Sequence, residues 1–261
     1  PFLGRTPSGQ IVINGQNGTV VSGHQFVNLP AGQDAIVVEN SSNVTITAND
    51  FSGNTGDIYV VDSSNVTVTW NRYRNVGDGS TGSGASNFIQ FSRTTGGYIA
   101  HNKGIGGNTE DIVSIYESQG ASAASPIVIE DNAFEGTNWS SDSGSGSMLG
   151  DAGGSHIVIR DNTFLNPGQV GIGVSGGSDI HVLGNVIYGV QRANSNVGIY
   201  VWNQSSGTCS AIEVASNSVR WYAASGAENP YWDGSNCGVV AGVSTNNWHT
   251  SLDPNALQVS L

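Results

Sequence analysis

The stretch "GGNTEDIVSIYESQG" (Gly106–Gly120) places Glu110, Asp111 and Glu117 around a strand-like run that also carries Tyr116. Carboxyl groups held near one another raise each other's proton affinity, which keeps one protonated as an acid while the other serves as base or nucleophile. Glu110 and Asp111 stand at the start of the run and Glu117 at its end, about 20 Å away along an extended chain. They therefore belong to two separate positions. At strand ends elsewhere the chain carries Asp62, Arg93 and Asp151. If the strands stack about 4.8 Å apart, Asp62, Arg93, Glu117 and Asp151 form a column, with Glu117 and Asp151 about 5 Å apart and more distant pairs near 10 Å. Two-carboxylate glycoside cleavage uses about 5–5.5 Å for retention and 6.5–9.5 Å for inversion, so both spacings are available. The candidate catalytic residues are Glu117, Asp151, Arg93, Tyr116 and Asp111. The acids would also suit calcium, whose site residues the sequence does not specify.

The elements that position these groups follow from an internal repeat. The pattern apolar-x-apolar-x-x-Asn occurs as "VTITAND", "VTVTWNR", "YIAHN", "IVIEDNA", "IVIRDNT", "IHVLGNV" and "IEVASNS". Its asparagines, Asn49, Asn71, Asn102, Asn132, Asn162, Asn185 and Asn217, are spaced by 22, 31, 30, 30, 23 and 32 residues, and His24 takes the equivalent place in a degenerate copy. A minimum near 22 with insertions of eight to ten fits a solenoid whose loops grow from fixed corners. The asparagines read as structural: an amide at a tight inward corner can bond backbone groups and its counterparts one coil above and below.

The repeat resembles the pectate-lyase-like superfamily, which comprises polysaccharide lyases, polygalacturonases, epimerases and tailspike depolymerases, over roughly residues 11–243. The resemblance implies an all-β, right-handed, single-stranded parallel β-helix of about eight to nine coils with an asparagine ladder. It implies one domain over residues 1–261, with 1–10 as an N-terminal cap and 244–261 as a C-terminal tail or cap. The first strand of each coil would line a substrate groove. Polygalacturonases carry Asn-Thr-Asp-Gly before such a strand; here Asn108 and Thr109 match, Glu110 and Asp111 do not, and no Asp-Asp follows one coil later. That activity is accordingly not implied.

Period-two alternation along the first strands turns Ile58, Val60, Ile89, Phe91, Val113, Ile115, Ile172, Val174, Ile199 and Val201 inward. Tyr59, Gln90, Tyr116, Tyr200 and Trp202 then face outward, where aromatic faces stack on sugar rings. With Asp62, and with Trp139 and Trp232 from long loops, Tyr59, Gln90, Tyr200 and Trp202 are the expected substrate-binding residues. Packing beneath the loops is the alternative role for the aromatics.

Composition limits the partners. Eight Lys and Arg against twenty Asp and Glu give a net charge of −12, which opposes a nucleic acid or an anionic membrane. Gly accounts for 37 of 261 residues and charged residues for 11%, as short strands and polar turns require. No apolar run reaches the length of a membrane span. Cys209 and Cys237 read as one disulfide in an oxidising compartment, with two free buried thiols as the alternative. The expected protein is secreted and binds a polysaccharide or oligosaccharide. Hydrolysis is the leading chemistry; lyase or epimerase action on uronates with calcium, and glycan binding without catalysis, are the alternatives. Ice binding is disfavoured, because the outward pairs Thr45/Thr47 and Thr67/Thr69 lapse in later repeats.

Overall fold

The computed structural model describes residues 8–77, 86–136 and 144–261. Short runs rich in Val and Ile form strands, and asparagines and glycines with positive φ turn the corners between them, because these residues tolerate the left-handed region. Three rows of parallel strands result. The first contains Ile11–Asn14, Asp34–Glu39, Gly56–Val61, Asn87–Ser92, Asp111–Gln119, the first part of Ser145–Arg160, Val170–Val174, Val197–Val201 and Tyr231–Asp233, each paired with the next. The second runs from Val20–Ser22 through Thr45–Thr47 and Thr95–Ala100 to Cys209–Ala215. The third runs from Gln25–Val27 to Asn247–Trp248. Ser145–Arg160 passes unbroken from the first row into the second, which joins those two rows into one sixteen-stranded sheet beside a nine-stranded one.

The core lies between the rows. All ten residues assigned inward by alternation are buried. Two positions beyond the repeated asparagine, Phe26, Phe51 and Tyr73 stack face to face with ring centroids 5.1 Å apart. The asparagines themselves are buried, and from Asn71 onward each Oδ1 accepts both the backbone N–H and the side-chain Nδ2 of its counterpart one turn of the chain earlier. Nδ2 distances are 3.1 Å for Asn49–Asn71, 3.0 Å for Asn71–Asn102 and 3.0 Å for Asn185–Asn217. The remaining Nδ2 proton goes to a backbone carbonyl, as from Asn71 to Ile46 at 3.0 Å, so no amide group is orphaned. The His24 N–H donates to Asn49 Oδ1 at 2.9 Å, as its place in the repeat requires. At the other end the file continues to Asn246, 2.8 Å from Asn217 Nδ2, and Asn247–Trp248 pairs with Ser218–Val219. The segment expected to be a tail or cap therefore begins as another strand of the scaffold. The expected N-terminal cap falls mostly on residues 1–7, outside the described residues.

A second file, of hydroxyls, escaped the sequence reading. Ser41, Ser63, Thr94 and Ser118 each follow the corner that ends a first-row strand, and all four are buried. Ser63 Oγ donates to the Val61 carbonyl at 2.7 Å and accepts the Ser41 N–H at 3.1 Å; Ser118 Oγ does the same for Tyr116 and Thr94 at 2.8 and 2.9 Å. The signal was present as a Ser or Thr directly after Asn40, Asp62, Arg93 and Glu117.

Candidate active site

The outward face of the first row forms a groove with two adjoining cavities. One has a volume of 680 Å³ and takes its walls from Asp34, Glu110, Asp111 and Asp151, with Ser114 and Met148 on the floor. The other has a volume of 610 Å³ and is bounded by Tyr200, Trp202 and Trp232. Met148 and Gln204 border both.

Asp111 begins its strand and is 6% exposed. Oδ1 accepts the Ser145 hydroxyl at 2.6 Å and the Ser145 N–H at 3.1 Å, while its own N–H donates to Asn87 Oδ1 at 3.0 Å. Burial pushes the carboxyl up to about 7, and the charges of Glu110 and Asp151 push the same way, against the Ser145 bonds that lower it. Asp34, on the opposite side of the cavity, is raised by burial to about 6. Its carboxyl lies across Gly56, where any Cβ would come within 2.1 Å of Asp34 Oδ1. Asp57 faces the core beside it, wholly buried; Asn54 donates to Oδ1 at 2.9 Å, Oδ2 has no partner, and burial raises the carboxyl well above its usual range.

The expected column is redrawn by the register. Asp62, Arg93 and Glu117 share the corner, with left-handed φ values of 48°, 48° and 46°. Asp151 does not join them: a register shift between Ile115 and Tyr116 sets it opposite Tyr116, and Ala152 takes the left-handed corner instead. Gly150, itself at φ 63°, packs so closely on Gly176 that a Cβ would meet its carbonyl at 2.2 Å, and this irregular backbone is what displaces the acid. Asp151 thereby enters the cavity, and Ser175 Oγ approaches it at 3.4 Å. Glu117 is exposed and is not part of the cavity wall. Arg93 borders the cavity, but its fork is engaged by Asp62, with Nε–Oδ1 at 2.7 Å and Nη2–Oδ2 at 3.0 Å. This bond holds Asp62 below the usual carboxylate range and Arg93 above its own. Its charge is therefore already matched.

Tyr59, Gln90 and Tyr116 line the acidic cavity, half-buried, as the alternation implies. Tyr200 departs from the expected exposed platform. It is 6% exposed because its ring lies flat over Gly173, where a Cβ would meet Cε1 at 2.6 Å, and its hydroxyl is tied to Met148 Sδ at 3.1 Å and Gln204 Nε2 at 2.6 Å. It lines the 610 Å³ cavity. Trp202 and Trp232 are the open aromatics, 42% and 46% exposed, with centroids 5.8 Å apart in an edge-to-face pair. Trp232 comes from a segment stapled by the Cys209–Cys237 disulfide, whose Cα atoms are 4.5 Å apart. Trp139 lies outside the described residues.

The acids do not gather into a calcium cage. One Asp111 oxygen is taken by Ser145, Asp62 is taken by Arg93, and Glu117 stands apart; among the described residues no group of three or more His, Cys, Asp or Glu is arranged for a metal. A different cluster sits on the second row, away from the groove. His181 is held between Asp179 Oδ1 at 2.9 Å and Glu213 Oε2 at 2.8 Å, and His156 Nδ1 meets Asp179 Oδ2 at 2.6 Å. Burial pushes the His181 imidazole down, and the two carboxylates outweigh it and raise it overall; the hydrogen bonds from His156 and His181 hold Asp179 low.

No helix among the described residues is long and apolar enough to cross a membrane. No curated protein matches the sequence. Among solved structures the chain is similar to a hyperthermoactive exopolygalacturonase from Thermotoga maritima, at 14% identity and a TM-score of 0.52, covering 75% of this chain and 44% of that one. It spans less than half of that enzyme, and the likeness is one of fold. PfbA, a surface adhesin of Streptococcus pneumoniae, is also 14% identical, with a TM-score of 0.37 and 76% and 64% coverage. The model of a family described as right handed beta helix region matches residues 7–219. With its three rows of parallel strands in register, the chain belongs to the right-handed beta helix family.

Proposed function

We propose that the protein is a secreted glycoside hydrolase that cleaves a polysaccharide lying along the first-row groove. The observation that carries this reading is Asp111: a buried carboxyl raised to about 7, in the wall of an open cavity that Asp151 also lines. A carboxylic acid still protonated near neutrality can donate to a departing glycosidic oxygen. Asp151, opposite Tyr116 on the neighbouring strand, borders the same cavity, and its charge is one of those that raise Asp111. In this mechanism the water oxygen attacks the anomeric carbon as the C–O bond breaks. The Asp111 proton passes to the leaving oxygen and the water's proton to Asp151. Trp202 and Trp232 extend the groove as stacking surfaces.

The scaffold reading beneath this, a solenoid of about eight to nine coils with an asparagine ladder, is supported by the amide file from Asn49 to Asn246. The similarity to an exopolygalacturonase supports a polysaccharide as substrate, and the disulfide agrees with an extracellular location. The test is to incubate the protein with neutral, amino and uronate polysaccharides and assay reducing ends alongside absorbance near 235 nm, which unsaturated lyase products give. Reducing ends without that absorbance, lost in Asp111→Asn, are expected. Unsaturated products would replace hydrolysis with elimination, and binding without any product would make the groove a lectin-like site.

A further inference from the structure

The acidic cavity holds an imbalance of charge that bears on which sugar it takes. Asp34, Glu110, Asp111 and Asp151 all border it, and the one cation on its wall among the described residues, Arg93, is already engaged by the bidentate bond to Asp62. A uronate carboxylate entering here would meet the carboxylates of Asp34, Glu110 and Asp151 beside the protonated Asp111, and no available positive partner among the described residues. Like charges brought together in a partly dry cleft repel strongly, and the −12 net charge of the chain adds to that field. The floor supplies a second, independent sign of a ligand. Ser114 lines the cavity, is 4% exposed, and its hydroxyl makes no hydrogen bond among the described residues. That hydroxyl opens onto the cavity, where a bound sugar hydroxyl or amine can pair with it. Gln90 and Tyr59 beside it add neutral hydrogen-bonding groups.

Resting on the reading of this groove as a polysaccharide site, we infer that its substrate is a glycan bearing free amino groups, whose ammonium is received by the carboxylates of Asp34, Glu110 and Asp151 around the Ser114 floor. An ammonium needs acceptors on several sides, and three carboxylates with a hydroxyl between them supply these. The same arrangement explains why Arg93 is held by Asp62: a free guanidinium on the rim would repel such a chain.

The experiment compares three oligosaccharides of equal length by calorimetry near pH 6, where the amine is charged: glucosamine, N-acetylglucosamine and galacturonate oligomers. The glucosamine oligomer is expected to bind about tenfold or more tightly than the neutral one, and the galacturonate oligomer weakest of all. The preference should collapse on raising salt from about 0.05 to 0.5 M. Glu110→Gln and Asp34→Asn should each erase most of the cationic preference, and retained binding of the neutral oligomer shows that these variants are folded. Neutral or anionic oligomers binding as well as the cationic one, or a preference unchanged in both variants, would overturn the inference while leaving the groove a glycan site. Failure of every oligomer to bind would overturn the groove reading and the inference with it.

Discussion

The groove and the second-row face carry carboxylates shifted in opposite directions on the same scaffold. Asp111 is buried with one hydroxyl and one N–H for company and is pushed up to about 7; Asp179 is half-exposed between two imidazoles and is held low. Fold rigidity does not separate them, since both sit on strands paired on both sides. The neighbours do. Asp179 receives charge-assisted hydrogen bonds that favour its ion, whereas Asp111 loses water without gaining a cation. A carboxylate that stabilises the fold is matched, and one kept for chemistry is left short of partners at a cost in stability.

Breaking the groove side should have the largest effect. Asp111→Asn removes the proton donor, and kcat should fall by about a thousandfold, measured as reducing-end release. The same variant should be more stable than the wild type at alkaline pH. A carboxyl raised in the folded state contributes its stability below its unfolded value and loses it as pH rises through the folded one. Between pH 4 and above 7 the wild type thus forfeits as much as ~4 kcal/mol that the amide does not. Denaturant titrations of both proteins should coincide near pH 4 and diverge towards pH 8; a constant difference would show that Asp111 is not held in this way.

Asp179→Asn should behave in the opposite sense, costing roughly 1–3 kcal/mol as charge-assisted bonds are lost. His181, raised in the fold, contributes below its unfolded value near 6.5 and loses that contribution as pH climbs through the higher folded value. Asp179, lowered, contributes above 3.8 and loses it as pH falls through the lower one. The penalty of the variant should therefore be greatest between about pH 4 and 6.5 and shrink at alkaline pH.

Ser145→Ala should sharpen the contrast with less loss. Without the hydroxyl at 2.6 Å, the Asp111 carboxyl rises further, so the alkaline limb of the rate profile moves upward from about 7 while much of kcat survives. Smallest of all are the exposed corner residues. Glu117→Gln and Arg93→Ala should change kcat less than about threefold and leave the melting temperature near that of the wild type, because exposed groups on the rim are screened by water. A thousandfold loss in Glu117→Gln would move the chemistry from the cavity to the corner.

Much of the scaffold was legible in the chain. The asparagine spacing and the alternation at Ile58/Val60 or Ile89/Phe91 report local periodicities, and periodicity survives in one dimension. Tyr116, Gln90 and Tyr59 were placed on the groove for the same reason. Glu117 and Asp111 stand side by side as candidates in the sequence because carboxylates at strand ends look alike in a string of letters. Tyr200 was read as open because alternation gives direction, not cover; its burial depends on Gly173, 27 positions earlier, being small enough to lie under the ring.

The order of apolar and amide residues by itself determined the β-helix and its inward and outward faces, since each rests on spacing within or between repeats. Only the tertiary structure decided which acid is dry, which arginine is already engaged and where Asp151 stands. Desolvation and charge pairing are sums over neighbours brought together from distant coils, and a single irregularity at Gly150 redirects a side chain into the cavity without leaving any mark in the repeat.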